Sequence, residues 1–203
     1  MLDFELYTPT KIFFGRGRCD EVGKVVAAYG CRKPLRSYGG GSARRSGLLG
    51  RVEASLRDAG LDFAELGGVQ ANPTVEFCAE TASYAREQGC DMLLAVGGGS
   101  VIDNAKMAAH CVRTVRDPWD YTDHRAEPTD SLPVGVVLTI AATGSEMSDS
   151  AVLTNTSLGV KRGPSCEANR PLFAIMGPAR SFTLPPYQTA CGVVAVLMPP
   201  MRR

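Results

Sequence analysis

The sequence predicts an α/β fold in which a parallel β-sheet is flanked by helices. Short apolar segments that end in glycine alternate along the chain with longer segments whose apolar residues have helical spacing. In addition, the tetrapeptide Gly-Gly-Gly-Ser occurs at residues 39–42 and again at 97–100, each time directly after a strand candidate. These two copies indicate two equivalent strand-to-helix connections on one sheet.

The elements of the N-terminal half are bounded by glycine and proline, which interrupt regular structure. They are predicted as strands at 11–17, 33–42, 63–68 and 91–99, with helices at 23–30, 46–60, 72–89 and 100–112. The segment 91–99 is the strongest strand candidate. A poor strand is expected at 33–42, because Pro34 cannot donate to a ladder and Arg36 and Ser37 are unfavourable in a central strand.

The C-terminal half begins with a loop rich in proline and aspartate at about residues 116–132. Further strands are predicted at 133–145, 151–155 and 172–176. A final helix should begin near Pro186, because proline is tolerated in the first turn.

The composition excludes several classes of function. The chain has 203 residues, 44% of them hydrophobic, and a net charge of +1, which gives no argument for binding nucleic acid or a membrane surface. Its seven cysteines contain no Cys-x-x-Cys pair, so most are expected to be small core residues in a reducing cytoplasm. No apolar run approaches the roughly 18 residues of a membrane span, and the start lacks the basic region of a signal peptide.

The second glycine-rich connection predicts a phosphate site. The helix that follows it begins with unpaired N–H groups, and Gly97, Gly98 and Gly99 would let a phosphate approach them closely, with Ser100 beside them. The alternative is a tight turn with Ser100 as the N-cap. The segment is not the G-x-G-x-x-G fingerprint, because Ile102 stands where the third glycine belongs.

Polar side chains near this connection extend the predicted site. Thr139, Thr143 and Ser145 follow the end of an apolar strand, where hydroxyl groups could bind phosphate or ribose. A Ser/Thr-rich turn is the alternative. Asp103 and Lys106 are an i, i+3 pair on the first turns of the helix, which a surface ion pair would also explain.

Six segments, taken in order, resemble the N-terminal half of the iron-containing (group III) alcohol dehydrogenases, most closely the butanol dehydrogenase-like, NADP-preferring members. They are TPTKIFFGRG, YGGGS, AVGGGSVIDNAK, TIAATGSEMSDSAVLTN, KRG and FTLPPYQTACG, and the resemblance covers nearly all of residues 1–193. The resemblance implies a Rossmann-like domain of the dehydroquinate synthase-like N-terminal type at residues 1–185. Residues 186–203 would be the truncated start of a helical metal-binding domain that is otherwise absent. A glycerol dehydrogenase or dehydroquinate synthase relative is a weaker alternative.

The resemblance also implies roles for individual residues. The dinucleotide pyrophosphate would meet residues 97–100, with Asp103 near the nicotinamide. Thr139, Thr143 and Ser145 would line the cofactor, and Lys161 would reach its ribose. The activity implied is the NAD(P)H-linked interconversion of a primary alcohol and its aldehyde, and the assembly could be a homodimer.

The first glycine connection favours NADP(H), although NAD is compatible with the family. Many NAD-preferring relatives have an aspartate there, whereas this chain has Gly39, Gly40 and Ser42, which would accept a 2′-phosphate. Arg44 or Arg45 could assist, or both could lie on a solvated helix face.

The expected iron or zinc site departs from the family pattern. Its ligand positions correspond to Ala195 and Pro199, and neither side chain binds metal. Pro199 and Pro200 should also break the final helix. The isolated chain is therefore expected to bind dinucleotide weakly or not at all and not to oxidise alcohols, and a non-catalytic nucleotide-binding fragment or pseudo-enzyme is the alternative.

Overall fold

A six-stranded, fully parallel sheet forms the centre of the computed structural model, which describes residue 3 and residues 7–201, without the side chains of 42, 180, 181, 183 and 199–201. The strands of the sheet are β1 (Lys11–Phe14), β2 (Pro34–Tyr38), β3 (Ala64–Gly67), β4 (Met92–Gly97), β5 (Val134–Leu138) and β8 (Phe173–Met176). Two further strands, β6 (Leu153–Asn155) and β7 (Val160–Arg162), form a separate antiparallel hairpin.

The strand order is β1-β8-β5-β4-β2-β3. Along the chain, successive strands are placed toward one edge of the sheet as far as β3, and from β4 onward they are placed toward the opposite edge. From β2 the chain moves outward to β3, and then returns to the other side of β2 to form β4. The connections that leave β2 and β4 therefore diverge, which opens a crevice at the carboxyl ends of these strands. Both Gly-Gly-Gly-Ser segments lie at this crevice.

Helices cover both faces of the sheet. They are α1 (Val22–Ala28), α2 (Gly41–Arg45), α3 (Leu48–Asp58), α4 (Val75–Glu87), α5 (Gly99–Thr114), α6 (Pro118–Thr122) and α7 (Pro186–Met201). Side chains alternate along β4, so Met92, Leu94 and Val96 join the core with α1 and α3. Leu93 and Ala95 join the second core, which contains α5. The predicted α/β class is confirmed.

The strand at β2 is better formed than the sequence predicts. All its residues are buried, and it pairs with β3 on one side and β4 on the other. Pro34 is the first residue of the strand, where a missing N–H is tolerated. Arg36 is buried because its guanidinium donates to the Leu49 carbonyl at 2.7 Å and pairs with Glu65. Long-range partners thus stabilise an otherwise unfavourable strand.

Two predictions for the C-terminal half need correction. The expected loop at 116–132 contains α6, which is capped by the Asp117 carboxylate accepting from the Trp119 N–H at 2.7 Å. The strand predicted at 151–155 lies in the β6–β7 hairpin and not in the main sheet. Cysteines behave as predicted, since Cys19, Cys31, Cys78, Cys90 and Cys111 are all buried.

Helix α7 begins at Pro186 as predicted, but its backbone continues to Met201 instead of breaking at Pro199. A proline fixes φ near the helical value, and so close to the end of a helix each missing N–H costs only one hydrogen bond. Within the described part of the chain, no helix is both long and apolar enough to cross a membrane.

Helix α7 presents apolar side chains to solvent, and we expect it to cause self-association. Val193, Val194, Val196 and Leu197 are each more than half exposed, with Val196 at 73%. Replacing Val196 with lysine should weaken association about tenfold, because burying one valine contributes roughly 1.5 kcal/mol. Light scattering over a concentration series would measure this, with Gln188→Lys as a control that adds charge without removing apolar surface. A wild-type chain that stays monomeric at high concentration would contradict the expectation.

Candidate functional site

The candidate site lies where β4 ends and α5 begins. The Thr139 N–H donates to the Gly97 carbonyl at 3.0 Å, which joins the end of β5 to the glycine segment. The N-cap of α5 is Gly98, and no described side chain caps this helix. The interpretation of Ser100 as the N-cap is therefore wrong. The first N–H groups of a long helix remain available to an anion.

The three glycines are packed closely against neighbouring side chains, as well as giving access to the backbone. A Cβ at Gly97 would lie 2.6 Å from Val101 Cβ, and one at Gly98 would lie 2.8 Å from Ile140 Cγ2. A Cβ at Gly99 would lie 2.5 Å from Thr143 Oγ1 and 3.2 Å from Thr143 Cβ. The segment after β5, residues 139–145, thus packs directly against the glycines. This segment forms one wall of the site, and the start of α5 forms the other.

Ser145 connects this wall to α5. Its hydroxyl donates to Asp103 Oδ1 at 2.5 Å, and its backbone N–H donates to Thr143 Oγ1 at 3.3 Å. Ser145 is buried, whereas Thr143 is exposed and Thr139 half-buried. Burial raises the pKa of the Asp103 carboxyl, while the Ser145 hydroxyl and the nearby Lys106 act in the opposite direction. The structure therefore places all three predicted hydroxyl residues beside the glycine segment.

Lys106 is buried, so a surface ion pair with Asp103 is the wrong interpretation. Its ammonium donates to Ser145 Oγ at 3.1 Å and to the carbonyls of Ser148 and Ser150, each at 2.9 Å. The sequence contains a signal for this position, since Ile102, Ala105, Lys106 and Ala109 follow the i, i+3, i+4, i+7 spacing of a buried helix face.

Lys161 reaches the same site from the β6–β7 hairpin. Its ammonium donates to Asn72 Oδ1 at 2.7 Å, and the Asn72 N–H donates to Ser100 Oγ at 3.3 Å. Asn72 has a φ of 59°, in the left-handed region that asparagine tolerates better than most residues. Sequence reasoning missed Asn72, although an Asn-Pro pair before a helix is a turn signal.

The first glycine segment forms a separate cavity of about 480 Å³ at the ends of β2 and β3. Gly39 and Gly40 line it, together with Arg44 and Glu65. The Arg44 guanidinium donates to the Tyr38 hydroxyl and pairs with Glu65 at 3.1 Å, yet its side chain is 64% exposed. Arg44 therefore faces the cavity as well as solvent. The side chain of Ser42 lies outside the described residues.

A second cavity, of about 720 Å³, lies between α7 and the segment after β5. It is lined mainly by apolar residues, including Ile140, Val193 and Ala195, with the buried Glu146 as the charged residue among its lining. Ala195 has no ligand atom, and the side chain of Pro199 is outside the described part. The described residues contain no group of three or more His, Cys, Asp or Glu that could hold a metal ion. Within the described part of the chain, the residues lining this cavity do not by themselves supply a set of metal ligands.

Comparison with known proteins identifies what the chain resembles. Residues 9–178 match the sequence model of the family described as iron-containing alcohol dehydrogenase. The chain is 39% identical over 197 residues to NADH-dependent butanol dehydrogenase A of Clostridium acetobutylicum, covering 97% of this chain and 50% of that protein. It is 38% identical over 197 residues to the NADPH-dependent aldehyde reductase YqhD of Escherichia coli, covering 96% and 50%.

The fold agrees with a solved structure from the same group. The crystal structure of NADH-dependent butanol dehydrogenase A from Thermotoga maritima superimposes with a TM-score of 0.91 at 39% identity, over 95% of this chain and 48% of that one. The chain thus spans about half the length of the curated relatives it matches.

Proposed function

Because the chain belongs to the iron-containing alcohol dehydrogenase family, we propose that it forms the dinucleotide-binding domain of an NAD(P)H-linked oxidoreductase that interconverts a primary alcohol and its aldehyde. The observation that carries this proposal is the uncapped N-terminus of α5 behind Gly97, Gly98 and Gly99, at the crevice between β2 and β4. The free thiols buried in the core suit a reducing cytoplasm, where we place the protein.

Each part of the site has a distinct role in this proposal. The N–H groups at the start of α5 bind the pyrophosphate beside Ser100, and Lys161 reaches the ribose. Thr139 and Thr143 orient the dinucleotide on the other wall, and Asp103 faces its nicotinamide end. When bound, the nicotinamide supplies hydride transfer, and these residues position it.

The experiment that tests the proposal is calorimetric titration of the chain with NADPH and NADH. We expect weak but measurable binding of at least one dinucleotide at the uncapped start of α5, with release on adding salt because the pyrophosphate is anionic. If the folded chain binds neither dinucleotide, the proposed function is wrong.

A non-catalytic nucleotide-binding protein is the second candidate. The observation that favours it is Ala195 at the position where the family resemblance expects a metal ligand. The two candidates differ in turnover, so NADPH oxidation with butanal in the presence of added iron or zinc separates them. Turnover comparable to that of full-length relatives would exclude the second candidate.

We further propose that the site prefers NADP(H), with the 2′-phosphate in the cavity lined by Gly39, Gly40 and Arg44. The names of the similar proteins divide between NADH and NADPH, so the preference rests on the residues of this cavity. A guanidinium that is mostly exposed can turn toward a phosphate and form bidentate hydrogen bonds with it.

Introducing a carboxylate into the first glycine segment should reverse the preference for NADPH over NADH. Gly39→Asp is expected to weaken NADPH binding about a hundredfold relative to NADH, because losing a charge-assisted contact and adding repulsion cost roughly 3 kcal/mol. Gly39→Ala is the matched control, since it adds the same Cβ, 3.2 Å from the Val69 carbonyl oxygen, without charge. Calorimetry with both dinucleotides measures the ratio, and equal changes in the two variants would contradict the assignment.

A further inference from the structure

We infer that Lys106 is a positioning residue of the dinucleotide site, which holds Ser145 and Asp103 in place through its ammonium group and couples dinucleotide binding to a proton. The inference rests on the proposed function and adds a residue that does not itself contact the dinucleotide. Lys106 is fully buried, and its neighbours on α5 are the apolar residues Ala105 and Met107.

Each of the three N–H donors of a protonated Lys106 has an acceptor. Its N–H donors reach the hydroxyl of Ser145 and the backbone carbonyls of Ser148 and Ser150, all within 3.1 Å. Because a protonated lysine only donates, Ser145 must accept from it and is left with its own proton to give to Asp103. The ammonium therefore fixes the direction of the whole chain of hydrogen bonds from Lys106 to Asp103.

Loss of the proton would weaken this arrangement. A neutral amine has fewer donors, so one of the two carbonyls or Ser145 would lose its partner. The segment from 145 to 150 would then be held less firmly against α5. The same segment carries Thr143 over Gly99, so its position sets the shape of the phosphate site.

Burial makes this proton loss accessible just above neutral pH. Burial lowers the pKa of Lys106 to about 8, against the attraction of Asp103 on its own helix and of Asp149 and Glu146 on the segment packed against it. Arg170 lowers the pKa further, and Lys161 acts on the Asp103 partner. A bound pyrophosphate adds negative charge at this end of α5 and should raise the pKa of Lys106.

This shift of the Lys106 pKa determines how dinucleotide affinity changes with pH. If the bound state has the higher pKa, dinucleotide binding takes up a proton in the window just above pH 8, and affinity falls as the pH rises through that window. A rise of one pKa unit on binding corresponds to about a tenfold loss of affinity across the window.

The test compares NADPH affinity between pH 7 and 10 for the wild type, Lys106→Met and the control Lys24→Met, in which an exposed lysine of α1 is replaced. We expect about tenfold weaker binding at high pH for the wild type and the control. Lys106→Met should bind more weakly at pH 7 and show no such dependence. A purely structural role for Lys106 would weaken binding without changing the pH profile, and that result would overturn the inference.

A measurement on the wild type guards against a variant that does not fold. The chain has five lysines, so the titration of the Lys106 side chain can be followed by NMR with and without NADPH. A rise of the Lys106 pKa on binding supports the inference. If NADPH binds but leaves the titration of Lys106 unchanged, the inference is overturned while the proposed function stands. A wild type that binds no dinucleotide overturns the proposed function and this inference together.

Discussion

Replacing Gly163 with alanine is expected to destabilise the chain by about 3 kcal/mol, near the upper end of the effects seen on overpacking. A Cβ at this position would overlap the carbonyl oxygen of Ala151 and lie 2.5 Å from its carbonyl carbon and 2.7 Å from Val152 Cα. These are backbone atoms, so no side-chain rotation relieves the overlap. The strand β7 would have to move away from the segment that precedes β6.

That movement reaches the candidate site. Ser150 bridges to Ser165 beside Gly163, and the Ser150 carbonyl accepts from Lys106. Lys161 lies on β7 itself and would be displaced from Asn72. We therefore expect Gly163→Ala to weaken NADPH binding as well, by roughly tenfold if one charged hydrogen bond is lost.

Urea unfolding measures the loss of stability, with Gly159→Ala as the matched control in the same hairpin. Gly159 has open space around it but a φ of 64°, so alanine there should cost only about 1 kcal/mol from backbone strain. Equal losses in the two variants would show that backbone conformation, and not the contact with Ala151, limits position 163.

The Gly163 contact illustrates what could be read from the sequence. The alternation of strands and helices, the glycine connections and the start of α7 were predictable because each depends on neighbouring residues. The approach of residue 163 to 151 and the bond between Lys161 and Asn72 join distant parts of the chain. Local patterns carry no information about such pairs, so they emerge only from the fold.

Lys106 and Arg36 show the same limit for charged side chains. From the sequence, a surface ion pair is one interpretation of Lys106, and Arg36 is expected to weaken its strand, because burying an isolated charge is costly. Both are buried because backbone carbonyls from another segment accept their hydrogen bonds: those of Ser148 and Ser150 for Lys106, and that of Leu49 for Arg36. The helical spacing around Lys106 indicated its direction but could not indicate its partners.

A large loss of affinity for both dinucleotides is expected from Gly99→Ala. The added methyl group would occupy the approach of a phosphate to the first N–H groups of α5 and would press against Thr143. Losing one or two charge-assisted hydrogen bonds costs about 2–3 kcal/mol, which is roughly a 30- to 150-fold increase in the Kd for NADPH. Stability should change by less than about 1 kcal/mol, because alanine is favourable in the first turn and Thr143 is exposed.

Further variants separate the causes. Gly50→Ala, in α3 with open space around it, should leave NADPH binding unchanged and slightly raise stability, which controls for the glycine-to-alanine change itself. Combining Gly99→Ala with Thr143→Ala removes the contact between the two walls. Because Thr143 is itself proposed to contact the dinucleotide, the double variant is compared with Thr143→Ala alone. If the double variant binds NADPH more weakly than Thr143→Ala, the methyl group acts on the phosphate directly. If the two bind equally, the position of the Thr143 segment is what matters, and affinity unchanged in Gly99→Ala alone would mean that no phosphate binds at this helix.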